Sequence, residues 1–97
     1  MTFIVCNSYF NDHVMKLLAN HGIDYYTSWE NAKGKGRGTE PHLGSGQFGS
    51  TNAVMMIAFE DEKPLEELVR GIADANREIK RASDRIRLFQ VPLDRIV

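Results

Sequence analysis

Asn52-Ala53-Val54-Met55-Met56-Ile57-Ala58-Phe59 carries no charge and is apolar at every position after the first. On a strand, successive side chains point to opposite faces, so Ala53, Met55, Ile57 and Phe59 share one face while Val54, Met56 and Ala58 share the other. Both faces therefore require cover. Downstream, a helix is expected to start at Asp61 or Lys63, with Pro64 tolerated in its first turn. Leu65, Leu68, Val69, Ile72, Ala73, Asn76 and Ile79 trace one stripe of that helix, which should fray near Lys80 to Ser83. Ile86 to Val91 alternates as a further strand, and Pro92 ends it in the manner of a sheet edge.

Upstream of Asn52, residues 33–49 hold six of the eight glycines and no hydrophobic period, so they form a loop. At seventeen residues it far exceeds the about 2–5 residues of a hairpin connection, and loops of that length usually serve a function. Before it, Tyr25 to Ala32 reads as an amphipathic strand, with Tyr25, Thr27 and Trp29 on one face and Tyr26, Ser28 and Glu30 on the other. A helix from Asn11 places Val14, Leu17, Leu18 and Ala19 at helical spacing, with Asn11 as its cap and Gly22 beyond its end. Phe3 to Cys6 is a short apolar strand, stopped by Asn7-Ser8. Its two faces are also apolar.

The order β-α-β-(long loop)-β-α-β specifies an α+β fold of ferredoxin-like type, a four-stranded antiparallel sheet with both helices on one face. Two helices shield one face only, yet the strands at Phe3 to Cys6 and Asn52 to Phe59 are apolar on both. A closed homo-oligomer with its sheets packed inward covers the second face.

The 97 residues are expected to form a single domain, residues 1–97, with a small but real core. A hydrophobic fraction of 42% and a charged fraction of 26% exclude a disordered or fibrous chain. Net charge of −1 supplies no basic field to hold a polyphosphate backbone, which argues against nucleic acid as a partner. The single cysteine, Cys6, cannot form an intrachain disulfide and reads as a small buried hydrophobe in a reducing compartment. The first apolar run turns polar at Asn7, too early for a signal peptide or a membrane span, so a cytoplasmic protein with no direct membrane insertion is expected.

Lys33-Gly34-Lys35-Gly36-Arg37-Gly38 is the sharpest local feature. Alternating glycines let backbone N–H groups approach an anion, and Lys35 and Arg37 add charge, a pattern suited to phosphate or carboxylate. The spacing is not that of a dinucleotide fingerprint, and no helix follows. Gly44 to Ser50 has the glycine spacing of a P-loop, but Ser50 stands where the lysine belongs. Lys80, Arg81, Arg85 and Arg87 form a basic run that would ring an anion together with Lys35 and Arg37. His13 and His21, eight residues apart on one helix, diverge by about 80° and cannot chelate by themselves. Glu40 and His42 could join a metal site across an oligomer interface. No nucleophile has an identifiable base and orienting acid, so catalysis is disfavoured. Tyr25, Tyr26 and Trp29 are expected to cover a helix or an oligomer seam rather than stack on a ligand.

The chain resembles the PII signal-transduction superfamily, in particular the smaller PII-like proteins outside the nitrogen-control branch. The resemblance spans roughly Phe3 to Leu93. It is carried by Asn11-Asp12-His13-Val14 leading to Leu17-Leu18 and His21-Gly22-Ile23, and by Lys33-Gly34-Lys35-Gly36-Arg37 at the start of the long loop. Glu60-Asp61-Glu62-Lys63 and Phe89-Gln90-Val91-Pro92 complete it. Thr39-Glu40-Pro41-His42-Leu43-Gly44, with Ser50-Thr51-Asn52, is similar to a subgroup found beside metal-efflux and other membrane transporters. The resemblance implies a homotrimer that binds ligands such as adenine nucleotides between subunits and reaches a target protein, such as a membrane transporter, through the long T-loop. It also implies that Gly34, Lys35, Gly36 and Arg37 wrap the ligand phosphates, and that Arg87 stands where the family has a phosphate-contacting lysine. In three places the chain departs from the nitrogen branch. The phosphate-holding turn, here Glu78 to Asp84, has no glycine; Thr39 replaces a magnesium-placing glutamine; and the T-loop has no tyrosine. The alternative is a divalent metal-binding or tolerance protein resembling CutA, of the same architecture, using Glu40 and His42.

Overall fold

In the computed structural model, which describes residues 1–35 and 51–97, the element order is β1 (Thr2–Asn7), α1 (Asn11–Asn20), β2 (Thr27–Ala32), β3 (Asn52–Ile57), α2 (Glu62–Arg77) and β4 (Arg87–Gln90). Short 3-10 turns at Ser8–Phe10 and Ala82–Asp84 precede α1 and β4. The strands form one antiparallel sheet in the order β2-β3-β1-β4, the ferredoxin-like arrangement expected from the sequence.

Register sorts the side chains into two faces. Thr2, Ile4 and Cys6 of β1 stand opposite Ile57, Met55 and Ala53 of β3. All six are buried, and with Val14 and Leu18 of α1 and Leu65, Leu68 and Ile72 of α2 they make up most of the core. The other face carries Phe3, Val5, Val54 and Met56, each only half-buried in the isolated chain, flanked by Trp29 on β2 and Phe89 on β4. Among the described residues, nothing covers that second face.

Helix α1 begins one residue earlier than a cap at Asn11 would place it. The capping amide is Asn7, whose Oδ1 accepts from the Tyr9 N–H at 3.0 Å and so starts the 3-10 turn that feeds α1. Gly22 does take the left-handed position after the helix, at φ 70°. On α2 the buried line runs through Leu65, Leu68, Ile72 and, past the last turn, Ile79. Ala73 lies about 100° around the axis from Ile72 and is exposed, while Ala75 packs on the core instead. Asn76 is on the inward stripe for a polar reason. Its Nδ2 donates to the Ile86 carbonyl and its Oδ1 accepts from the Ile86 N–H, both at 2.8 Å, so one side chain fixes the entry into β4.

Strand β2 is shorter than Tyr25 to Ala32, and Thr27 to Asn31 are exposed on both faces. As an outer strand that meets α1 through a polar contact, it has no apolar layer to face, so its sequence alternation does not become a burial alternation. Strand β4 likewise starts at Arg87, with Ile86 buried just before it.

Candidate functional site

The two ends of the long β2–β3 connection are held by polar contacts. Strand β2 ends through a bulge in which its register with β3 shifts between Trp29 and Ala32, and Asn31 sits at φ 59°. Asparagine enters that left-handed region more readily than most residues because its short amide can bond locally. Its Oδ1 accepts from the Thr51 hydroxyl at 3.3 Å, just before β3. Because that bond uses the only hydroxyl hydrogen of Thr51, Ser8 is the donor in the 2.9 Å contact between the Ser8 and Thr51 hydroxyls. The Ser8 N–H also donates to the Thr51 carbonyl at 2.8 Å. At Asn11, Nδ2 donates to Glu30 Oε1 at 3.5 Å. Both loop ends are thus tied to the junction between β1 and α1.

Gly34 lies in the same neighbourhood. A Cβ at this position would stand 2.5 Å from Asn52 Nδ2, so the backbone passes Asn52 at a distance that only glycine permits unless the amide moves. Lys35 follows it, exposed. Arg87 opens β4 opposite Val5, which puts it on the open face of the sheet, exposed and at the same end as Gly34. Strands β2 and β4 are the two outer strands, three spacings or about 14 Å apart. Lys35, just past β2, and Arg87, on β4, therefore start from opposite edges of the sheet.

Gly36, Arg37, Gly38, Glu40 and His42 lie outside the described residues. Among those described, no three His, Cys, Asp or Glu side chains come together as metal ligands. His13 is exposed, and His21 Nδ1 lies 3.2 Å from Glu67 Oε2, joining the end of α1 to α2. The basic run is split by the sheet. Lys80 and Arg81 line a cleft on the helix side, whereas Arg87 is on the open face, so they cannot ring one anion within a chain. Cys6 is buried, and burial pushes its thiol from 9.0 up to about 11, which makes it an unreactive core group.

Sequence reasoning did not pick out Ser8, Asn31, Thr51 and Asn52 as a group. Each is an ordinary turn or strand-end residue in the sequence, and the Ser8–Thr51 contact joins positions 43 apart. An asparagine just ahead of a glycine-rich loop was the only available hint of a left-handed exit.

No family model and no curated relative matches the sequence. Solved structures show the same fold. One is CPII, a nitrogen regulatory PII-like protein from Thiomonas intermedia K12, bound to ADP, AMP and bicarbonate. It has a TM-score of 0.59 and 19% identity, covering 99% of this chain and 92% of that one. CPII bound to ADP and bicarbonate superposes with a TM-score of 0.68 at 17% identity, covering 97% of this chain and 86% of the other.

Proposed function

We propose that this chain is a non-catalytic PII-like regulator. It binds a small anion of the adenine nucleotide class in clefts between the subunits of a cytoplasmic homotrimer. Its state is passed to a target protein, such as a membrane transporter, through the T-loop formed by residues 33–49. The observation that carries the reading is the placement of Gly34-Lys35 and Arg87 at one end of the sheet but on opposite edges. In a ring of copies, the β2 edge of one chain can meet the β4 edge of the next, and the separated cations then converge on one ligand. The uncovered apolar face supports the assembly, and the ligands of CPII support the ligand class. No helix among the described residues is long and apolar enough to cross a membrane.

In this reading Gly34 and Gly36 present backbone N–H groups, while Lys35, Arg37 and Arg87 supply charge-assisted bonds to phosphate oxygens. Loop ends fastened through Asn31, Thr51 and Ser8 transmit an ordered base to the rest of the loop. Calorimetry with ADP, AMP, bicarbonate, copper and zinc on the same purified protein tests this. Nucleotide binding weakened in Arg37→Ala and Arg87→Ala, by the about 1.5–3 kcal/mol of a charged hydrogen bond, is the expected result. If no nucleotide or bicarbonate binds, and divalent metal binds and is lost in His42→Ala, the CutA-like alternative replaces it.

A further inference from the structure

The end of α1 is fastened to α2 by a side-chain pair that the anion reading does not use. His21, just past α1, has its Nδ1 3.2 Å from Glu67 Oε2 on α2. An ionised carboxylate only accepts, so the hydrogen of this bond is on Nδ1, and Nε2 of the neutral ring keeps its lone pair. That nitrogen faces Gly71. A Cβ added at Gly71 would stand 3.9 Å from Nε2 and 3.1 Å from Leu17 Cδ2, so the glycine both lets the helices approach and keeps space before the ring. His21, Glu67, Arg70, Gly71 and Asp74 line one groove of about 440 Å³ there. Its carboxylates are already engaged, Glu67 with His21 and Asp74 with Arg77 Nη1 at 3.1 Å. Arg70 has no carboxylate partner; its Nε donates to the Glu66 carbonyl at 3.5 Å, which leaves the two Nη groups for an oxyanion.

We propose that His21 is a phosphoryl-acceptor site, modified at Nε2 by a small acyl phosphate. The Nε2 lone pair attacks phosphorus, and an Nε2–P bond forms as the P–O bond to the acyl group breaks. The carboxylate of the donor leaves with that electron pair. The ring becomes an imidazolium whose charge Glu67 offsets through Nδ1–H, and the Nη groups of Arg70 take the phosphoryl oxygens. Glu67 acts through His21 and is a positioning residue. Helix α2 carries Glu67 eleven residues before Glu78, so at 1.5 Å per residue the pair stands roughly 16 Å from the Glu78–Asp84 turn. Arg87 is on the opposite face of the sheet from the helices. The site does not depend on the nucleotide reading.

Treatment of the full chain with acetyl phosphate, read by peptide mass spectrometry and phosphorus NMR, tests this. One acid-labile phosphoryl group on Nε2 of His21 is expected, formed at least about tenfold faster than any adduct at His13, the more exposed ring. Arg70→Ala, at an exposed position, should slow the reaction at His21 by at least about tenfold. Glu67→Gln keeps an acceptor for Nδ1–H but not its charge, and should slow it by at least about tenfold too. Neither variant should alter the rate at His13, a selectivity that a general loss of structure would not give, and circular dichroism confirms that both fold. The inference is overturned if His21 stays unmodified in millimolar acetyl phosphate or reacts no faster than His13. It is equally overturned if the phosphoryl group sits on Nδ1, or if folded Arg70→Ala or Glu67→Gln reacts at His21 as fast as the parent.

Discussion

Met55 and Met56 are adjacent in sequence and identical in chemistry, yet the sheet assigns them opposite environments, so Met55→Glu and Met56→Glu should fail in different ways. Met55 is fully buried against Ile4 on the helix face. A carboxylate there has no partner, and an uncompensated buried charge costs about 3–5 kcal/mol on top of the lost apolar burial. Against a total stability of about 5–15 kcal/mol for a chain of this length, that removes most of the cooperative melt. Met56 lies on the open face between Phe3 and Thr27. There a carboxylate stays hydrated while the chain is alone and becomes unpaired only when another copy covers it. At about 3 kcal/mol per chain, a trimer loses about 9 kcal/mol, or six to seven decades in its association constant. Light scattering with circular dichroism at micromolar concentration reads both effects. The parent should run near 33 kDa, three chains of 11.0 kDa. Met56→Glu should run as a folded monomer with a cooperative melt, and Met55→Glu should lose the melt. A monomeric parent, or a Met56→Glu variant that assembles like the parent, would refute the covered-face argument.

Asn76→Leu removes both 2.8 Å bonds to Ile86 and strands a backbone pair at the entry to β4. It should cost about 2–3 kcal/mol, read as a melting temperature lower by about 10–20 °C. Cys6 should resist thiol reagents in the native state and react once urea unfolds the chain. Because burial raises the folded thiol to about 11, its contribution is intact below pH 9 and is lost as pH climbs from 9 to 11. The loss is about 3 kcal/mol at most and should be absent in Cys6→Ala, as urea midpoints across that window would show. Gly22→Ala meets no atom within 4 Å but forces a Cβ onto a residue at φ 70°, so about 1 kcal/mol of stability should go, with less lost in Gly22→Asn.

The parts of the fold that were legible in the sequence are those decided by burial along a single element. Strand β3 reads correctly because its apolar character is continuous, and register then selects which face meets the helices. Gly22 reads correctly because a left-handed residue after a helix has few substitutes. Legibility fails where a residue's role depends on a distant partner. Asn76 follows the helical period but earns its position through Ile86, and β2 alternates in sequence without a layer to alternate against. The candidate site divides along the same line. Gly34, Lys35 and Arg87 stand out by type and spacing, whereas the fastening of the loop by Ser8, Asn31 and Thr51 exists only after three separate segments have met.

Separation of Lys35 from Arg87 on opposite edges of the sheet has a thermodynamic consequence for the proposed nucleotide cleft. If ligand contacts come from two copies, the isolated chain holds half a site, and ligand and neighbour stabilise one another by the same free energy. Ligand at a hundred times its dissociation constant should then strengthen the assembly by about 2.7 kcal/mol per site, visible as resistance to dissociation on dilution. The converse is the sharper test. Met56→Glu leaves every residue assigned to the ligand in place, because Met56 lies in the row of Thr27, Phe3 and Phe89 rather than at the loop base. As a folded monomer it should nonetheless bind ADP at least about a hundredfold more weakly than the parent, the loss of about 2.7 kcal/mol that follows from removing the second chain's charged contacts. A monomeric Met56→Glu that binds ADP as tightly as the parent would place the whole site within one chain. The opposition of the two sheet edges would then carry no meaning for the ligand.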